Sequence, residues 1–142
     1  MPGVYEISTD RSRLDVDRIH RFLANDAYWS PGVAREVVER SIAGSLPFGV
    51  YTAGGEQVGF ARVVTDYATF AWIADVYVEA GHRGHGLGKR LVAAILEHPD
   101  LQGLRRWMLG TADAHELYRR FGFDELRDVR RFMALESGAA AR

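Results

Sequence analysis

Seven residues, Arg83-Gly84-His85-Gly86-Leu87-Gly88-Lys89, constrain the fold of this chain more than any other stretch. They follow an apolar, strand-like run from Ala71 to Val78. They open a helix-like run from Leu87 to His98, whose Leu87, Leu91 and Ile95 share one face and which Pro99 follows. A glycine-rich turn between strand and helix aims several backbone N–H groups at one point, and the helix N-terminus adds its partial positive charge there. Glycines also let a phosphate approach the backbone closely. The spacing excludes two familiar loops. A Walker A loop needs glycine where Arg83 stands and Ser or Thr where Arg90 stands, and Gly84-x-Gly86-x-Gly88 is not the Gly-x-Gly-x-x-Gly of a dinucleotide turn. By itself the run is either a phosphate seat or an ordinary strand-to-helix turn.

The remaining pattern gives a mixed α/β layout. Val4 to Ser8 reads as a strand, and Val16, Ile19, Phe22 and Leu23 mark an amphipathic helix that breaks at residues 25–29. Ser30-Pro31 starts a second helix, with Ser30 as cap, Val33, Val37 and Ile42 inward and Gly44 at its end. Phe48 to Thr52 and Gln57 to Val64 form a hairpin around Gly54-Gly55. Phe70 to Val78, apolar on both faces except at Asp75, belongs in the middle of a sheet. Arg105 to Leu109 follows as a parallel strand. Asp113-Ala114-His115-Glu116 reads as a capping box for a short helix closed by Gly122. Phe123 to Leu126 and Arg130 to Leu135 are the last expected strands. Phe48, Phe70 and Trp72 are assigned to the core.

With 142 residues, the chain suits one domain, placed at residues 1–136 with a frayed tail at 137–142. Its net charge of −1 gives no sign of a nucleic-acid partner, and no apolar run approaches membrane-spanning length. It has no cysteine, which removes disulfides, thiolate metal sites and a cysteine nucleophile. The histidines lack metal-ligand spacing, and no Gly-x-Ser-x-Gly is present. A soluble cytoplasmic protein is expected.

Arg83-x-x-Gly86-x-Gly88 resembles the Arg/Gln-x-x-Gly-x-Gly/Ala signature of the GCN5-related N-acetyltransferase (GNAT) superfamily. The preceding strand Asp75-Val76-Tyr77-Val78 resembles that family too. So does Leu117-Tyr118-Arg119-Arg120-Phe121-Gly122-Phe123, which is similar to its Tyr-x-x-x-Gly-Phe element. The resemblance covers residues 46–134 well and residues 1–45 in layout only. It implies a mostly antiparallel central sheet with a splayed parallel pair, flanked by about four helices. It also implies acetyl-CoA as co-substrate. The pyrophosphate would lie among Arg83, Gly84, His85, Gly86, Leu87, Gly88 and Lys89, and the pantetheine arm along the backbone of Val76, Tyr77 and Val78. Lys89 and Arg90 would add charge near the phosphates, or simply be solvated.

The resemblance makes Tyr118 the general acid. A phenol with an unperturbed pKa of about 10 stays protonated at neutral pH and can protonate a departing thiolate. Asp75, the odd residue in an apolar strand, is the candidate base, or else a structural carboxylate held by backbone N–H groups. His115, Glu116, Glu36 or a water chain are alternatives. Tyr28 and Trp29 are candidates to wall the acceptor pocket, with core packing as the other reading. The expected function is N-acetylation of a small-molecule or peptide amine by direct attack. The rival is a non-catalytic acyl-CoA-binding module on the same fold. A homodimer is a further expectation.

Overall fold

A computed structural model describes residues 4–137. Five strands form one sheet in sequence order: β1 (Tyr5–Ser8), β2 (Leu46–Thr52), β3 (Gln57–Thr65), β4 (Phe70–Val78) and β5 (Arg106–Leu109). The first four pair antiparallel, and β4 and β5 pair parallel. Four α-helices lie among the described residues: α1 (Val16–Asn25), α2 (Arg35–Ala43), α3 (Leu87–Glu97) and α4 (His115–Arg119). The crossover from β4 to β5 is long enough to reverse the chain because α3 fills it. None of these helices is long and apolar enough to cross a membrane.

Two apolar clusters sandwich the sheet. Leu87, Leu91 and Ile95 of α3 pack with Phe48, Val50, Val58, Ala61, Val63, Ala71 and Ile73. Ile19, Phe22 and Leu23 of α1 and Val38 and Ile42 of α2 pack with Phe60 and Tyr77. The sequence periodicities therefore report real buried faces. The Asp15 side chain caps α1 by accepting the Arg18 amide.

Several expectations need correction. Ser30 does not cap α2, which starts at Arg35 behind Ala34; its hydroxyl donates to the Leu23 carbonyl and ties the loop to the end of α1. Val38 is buried in α2 while Val37 is exposed. The capping box at α4 does not form. Ala114 holds the cap position, Thr111 Oγ1 accepts its amide, and Glu116 pairs with Arg119 instead. Trp72 is 37% exposed and Phe70 half-buried. Phe123 to Leu126 and Arg130 to Leu135 are not ladder strands. The chain makes a 3-10 turn at Val129–Arg131, and no ladder pairs the described residues beyond β5. Extended backbone becomes a strand only beside a partner, and this segment has none. The expected tail beyond residue 137 lies outside the described residues.

β4 carries one extra residue against β3. Phe60 faces Tyr77, but Arg62 faces Ala74, so Asp75 and Val76 together oppose Ala61. Asp75 adopts the left-handed region at φ 55°, one of two non-glycine residues to do so among the described residues. This is a β-bulge, a device that re-aims side chains next to functional sites.

Candidate active site

β4 and β5 stay in register for four pairs, from Phe70–Arg106 to Ile73–Leu109. β5 then ends while β4 continues to Val78, so the β4 edge from Ala74 onward is open. The parallel pair thus parts as expected. The gap widens into a groove of about 600 Å³ lined by Val76, Tyr77, Val78, Arg83, Gly84, Gly86, Leu87, Gly88 and Lys89, with Tyr28, Trp29 and Tyr118 at its other side. Of the fourteen residues singled out from the sequence, twelve line this groove, and only His85 and Asp75 stand apart from it.

The glycine loop is shaped to present its backbone. Gly84 and Gly86 have φ of 87° and 73°, and Gly86 caps α3 with no side-chain bond. The first loop-to-helix bond runs from the Arg90 amide to the Gly86 carbonyl, so the earlier amides of the turn are left for an outside acceptor. Arg83 folds back, its Nε donating to the Val78 carbonyl at 2.9 Å. Lys89 faces the groove. Arg90 does not: it donates to the Tyr5 carbonyl, which removes it from the phosphate side. His85 packs its ring 5.8 Å from that of Tyr5, leaving only its backbone for a ligand. The Tyr77 ring is stacked on Phe22 at 3.8 Å within the core.

Tyr118 is 7% exposed and edges against Phe123. Burial first, then the neighbouring Tyr28 and Asp113, push its phenol up to about 12. It borders the groove and two further cavities. One of these, about 340 Å³, is walled by Tyr28, Trp29, Arg62, Trp72, Asp75 and Asp113. Here both oxygens of Asp75 are engaged. Oδ2 accepts from Arg62 Nε at 2.6 Å and Oδ1 from Trp29 Nε1 at 2.9 Å. Its partners are thus side chains, not the backbone N–H groups considered from the sequence. The Tyr28 hydroxyl accepts the Ala112 amide, pinning the α1–α2 loop across the gap. Tyr28 and Trp29 are exposed rather than core residues.

Sequence reasoning missed Arg62, Trp72 and Asp113. Arg62 had a usable signal: a charge on an apolar strand, one hairpin away from an equally isolated Asp75. Trp72 had none, because its exposure follows from the parting of β4 and β5. Glu36 is exposed beside Arg40, and Glu116 is exposed beside Arg119. His115 lines the third cavity, with β5.

A five-stranded sheet that parts at a parallel pair, with a glycine-capped helix at one end of the gap and a buried tyrosine across it, defines an acetyltransferase-type domain. Residues 44–125, more than half of the chain, match the model of the acetyltransferase (GNAT) domain. The chain belongs to the GNAT superfamily. It is 32% identical to a candidate acetyltransferase of Gibberella zeae, over 89% of this chain and 82% of that protein. It is 34% identical to mycothiol acetyltransferase of Saccharopolyspora erythraea, over 66% of this chain but only 36% of that protein. Among solved structures, a candidate GNAT-family acetyltransferase from Xanthomonas campestris pv. campestris superposes with a TM-score of 0.90 at 47% identity, covering 93% of this chain and 92% of that one.

Proposed function

We propose that this chain transfers the acetyl group of acetyl-CoA to an amine by direct attack, with no covalent enzyme intermediate. The carrying observation is the position of Tyr118. Its protonated hydroxyl borders both the glycine-loop groove and the aromatic, acidic cavity beside it. The groove residues fit the donor: uncapped amides suit a pyrophosphate, Lys89 adds positive charge, and the open β4 edge offers main-chain groups to an extended amide-bearing arm.

In the reaction a C–N bond forms to the acetyl carbon and the C–S bond breaks. Tyr118 gives its proton to the departing sulfur and regains one from solvent, which takes up the proton shed by the attacking nitrogen. Main-chain N–H groups at the end of β4 polarise the thioester carbonyl. Tyr28, Trp29 and Trp72 offer aromatic faces to a cationic amine, and Asp113 supplies opposite charge nearby. Asp75 acts as a positioning residue. It holds the Trp29 indole and the Arg62 guanidinium in place, and the amine's proton leaves through the open cavity to water.

The test pairs calorimetry with thiol release. Wild-type protein should bind acetyl-CoA and CoA and release thiol with one member of an amine panel. Tyr118→Phe should bind CoA as well as wild type and lose about 10²–10⁴-fold in transfer. Binding with no thiol release from any amine supports a binding module instead. An unchanged rate in Tyr118→Phe removes the phenol from the chemistry.

A further inference from the structure

Resting on the transferase reading, we propose that the amine acceptor is a free α-amino acid with an apolar or aromatic side chain, its ammonium held at Asp113 and its carboxylate on Arg62. Three features of the cavity beside Tyr118 point to this class of molecule.

The first is an unspent donor. Arg62 Nε donates to Asp75 Oδ2 at 2.6 Å, and Nη1 donates to Ser45 Oγ at 3.1 Å. Nη2 has no hydrogen-bond partner among the described residues, although the side chain is only 19% exposed. A guanidinium carries five N–H groups in a fixed fork, and that fork matches a carboxylate. Arg62 lines the cavity of about 340 Å³. Both oxygens of its neighbour Asp75 are already engaged, by Trp29 and by Arg62 itself. This wall therefore offers a ligand N–H donors rather than acceptors.

The second is polarity along the cavity. Asp113 and Tyr118 line both the cavity and the glycine-loop groove, while Arg62 and Trp72 line the cavity alone. Asp113 is an exposed carboxylate at the junction of the two spaces. An ammonium paired with it lies beside Tyr118, where the acetyl carbon is to be attacked. A carboxylate on Arg62 lies at the end away from the groove. The two charges of one amino acid match these two ends, and a single orientation puts the nitrogen at the junction.

The third is size and lining. The Tyr28 hydroxyl accepts the Ala112 amide and the Trp29 indole donates to Asp75, so the loop between α1 and α2 is fastened on both sides of the gap. The space it borders, about 340 Å³, is at the small-molecule end of ligand pockets, which run from about 300 to 1,000 Å³. The exposed Tyr28, Trp29 and Trp72 rings offer flat apolar faces to a side chain between the two charged ends. Transfer changes one end only. The ammonium loses one proton to water before attack and a second as the C–N bond forms. The C–S bond breaks with the Tyr118 proton going to sulfur, and solvent restores the phenol. The product keeps its carboxylate but has lost its cation, so Asp113 and Asp75 face a net anion and favour its release.

Thiol release from acetyl-CoA with matched acceptors tests this directly. The pairs are phenylalanine with 2-phenylethylamine, leucine with 3-methylbutylamine, and alanine with ethylamine. Members of a pair share amine and side chain and differ in the carboxylate. Wild type should favour the amino acid of its best pair by at least about tenfold in kcat/KM, mainly through KM. Arg62→Lys keeps a cation for Asp75 but loses the fork, so it should remove most of that preference. Asp113→Asn should weaken both members of the pair alike. If Arg62→Lys lowers both members in equal proportion, the arginine is structural and the assignment is overturned. A wild type that prefers the carboxylate-free amines also overturns it and leaves the transferase reading standing, and that comparison needs no variant to fold. No thiol release from any of these compounds overturns it as well; turnover of a polyamine in their place would keep the transferase reading, and no turnover of any amine would remove both.

Discussion

Strands β2 and β3 are bonded along both edges and covered by helices on both faces, and Val50, Val58, Phe60, Ala61 and Val63 have no exposed surface. β5 has four residues, a ladder on one edge and only partly buried side chains, and the chain after it exposes Val129, Met133 and Leu135. Tyr118 sits where these two regions meet. The difference teaches that one side of the molecule is a finished scaffold for the glycine-loop groove. The other side, beside Tyr118, ends in a short strand with an open edge and side chains that stay partly exposed.

The largest expected contrast is in stability. Leu91→Ala, at a fully buried site, should cost about 2–5 kcal/mol in denaturant unfolding. Leu135→Ala, at a site that is 99% exposed, should change stability by less than about 0.5 kcal/mol. Equal costs for the two would erase the distinction between the regions.

Next in size is the glycine loop. A side chain at Gly86 meets no steric neighbour, but its φ of 73° makes any non-glycine residue strained by about 1–2 kcal/mol. Gly86→Glu also adds negative charge where phosphates are to bind. Calorimetry should show at least about a tenfold loss of CoA affinity, equivalent to about 1.4 kcal/mol. Undiminished binding would place the donor elsewhere.

Asp75 separates position from chemistry. Asp75→Ala leaves Arg62 and Trp29 without their acceptor and should cost about 1–3 kcal/mol. Asp75→Asn retains an acceptor for Trp29 and should mainly raise KM for the amine. A fall in kcat of about 10²-fold or more at unchanged KM would make Asp75 the base after all.

The smallest effect is on alkaline stability. The Tyr118 phenol is raised to about 12 in the native chain, against about 10 when unfolded. Between these values the unfolded state holds fewer protons, so native stability falls as pH rises from about 10 to about 12 and is intact below that window. Tyr118→Phe should show a shallower fall over the same range in melting experiments.

The glycine turn was legible in the sequence because its information is local. Arg83, Gly86 and Gly88 lie within six residues, and the turn they make needs no distant partner. β4 was bounded correctly for the same reason, since its apolar run is continuous from Phe70 to Val78. The cavity beside it is assembled from Trp29, Arg62, Trp72 and Asp75, which only the parting of two strands and a bulge bring together. No spacing in the chain encodes that meeting. The last two expected strands failed for a related reason. Their residues have strand character, but pairing is a property of a neighbour, and no ladder neighbour lies beside them among the described residues.

The bulge at Asp75 means that β4 is read in two frames. Before it, the odd-numbered Ala71 and Ile73 face the α3 cluster. After it, the even-numbered Val76 and Val78 do, while Tyr77 joins the opposite core. One inserted residue thus turns Asp75 out of the apolar interior and onto the face where Trp29 and Arg62 wait. Deleting Asp75 would therefore leave a regular strand, with Val76 and Val78 still on the α3 side and Tyr77 still in the opposite core. What would vanish is the one carboxylate that holds Trp29 and Arg62, so the insertion serves the cavity and not the ladder.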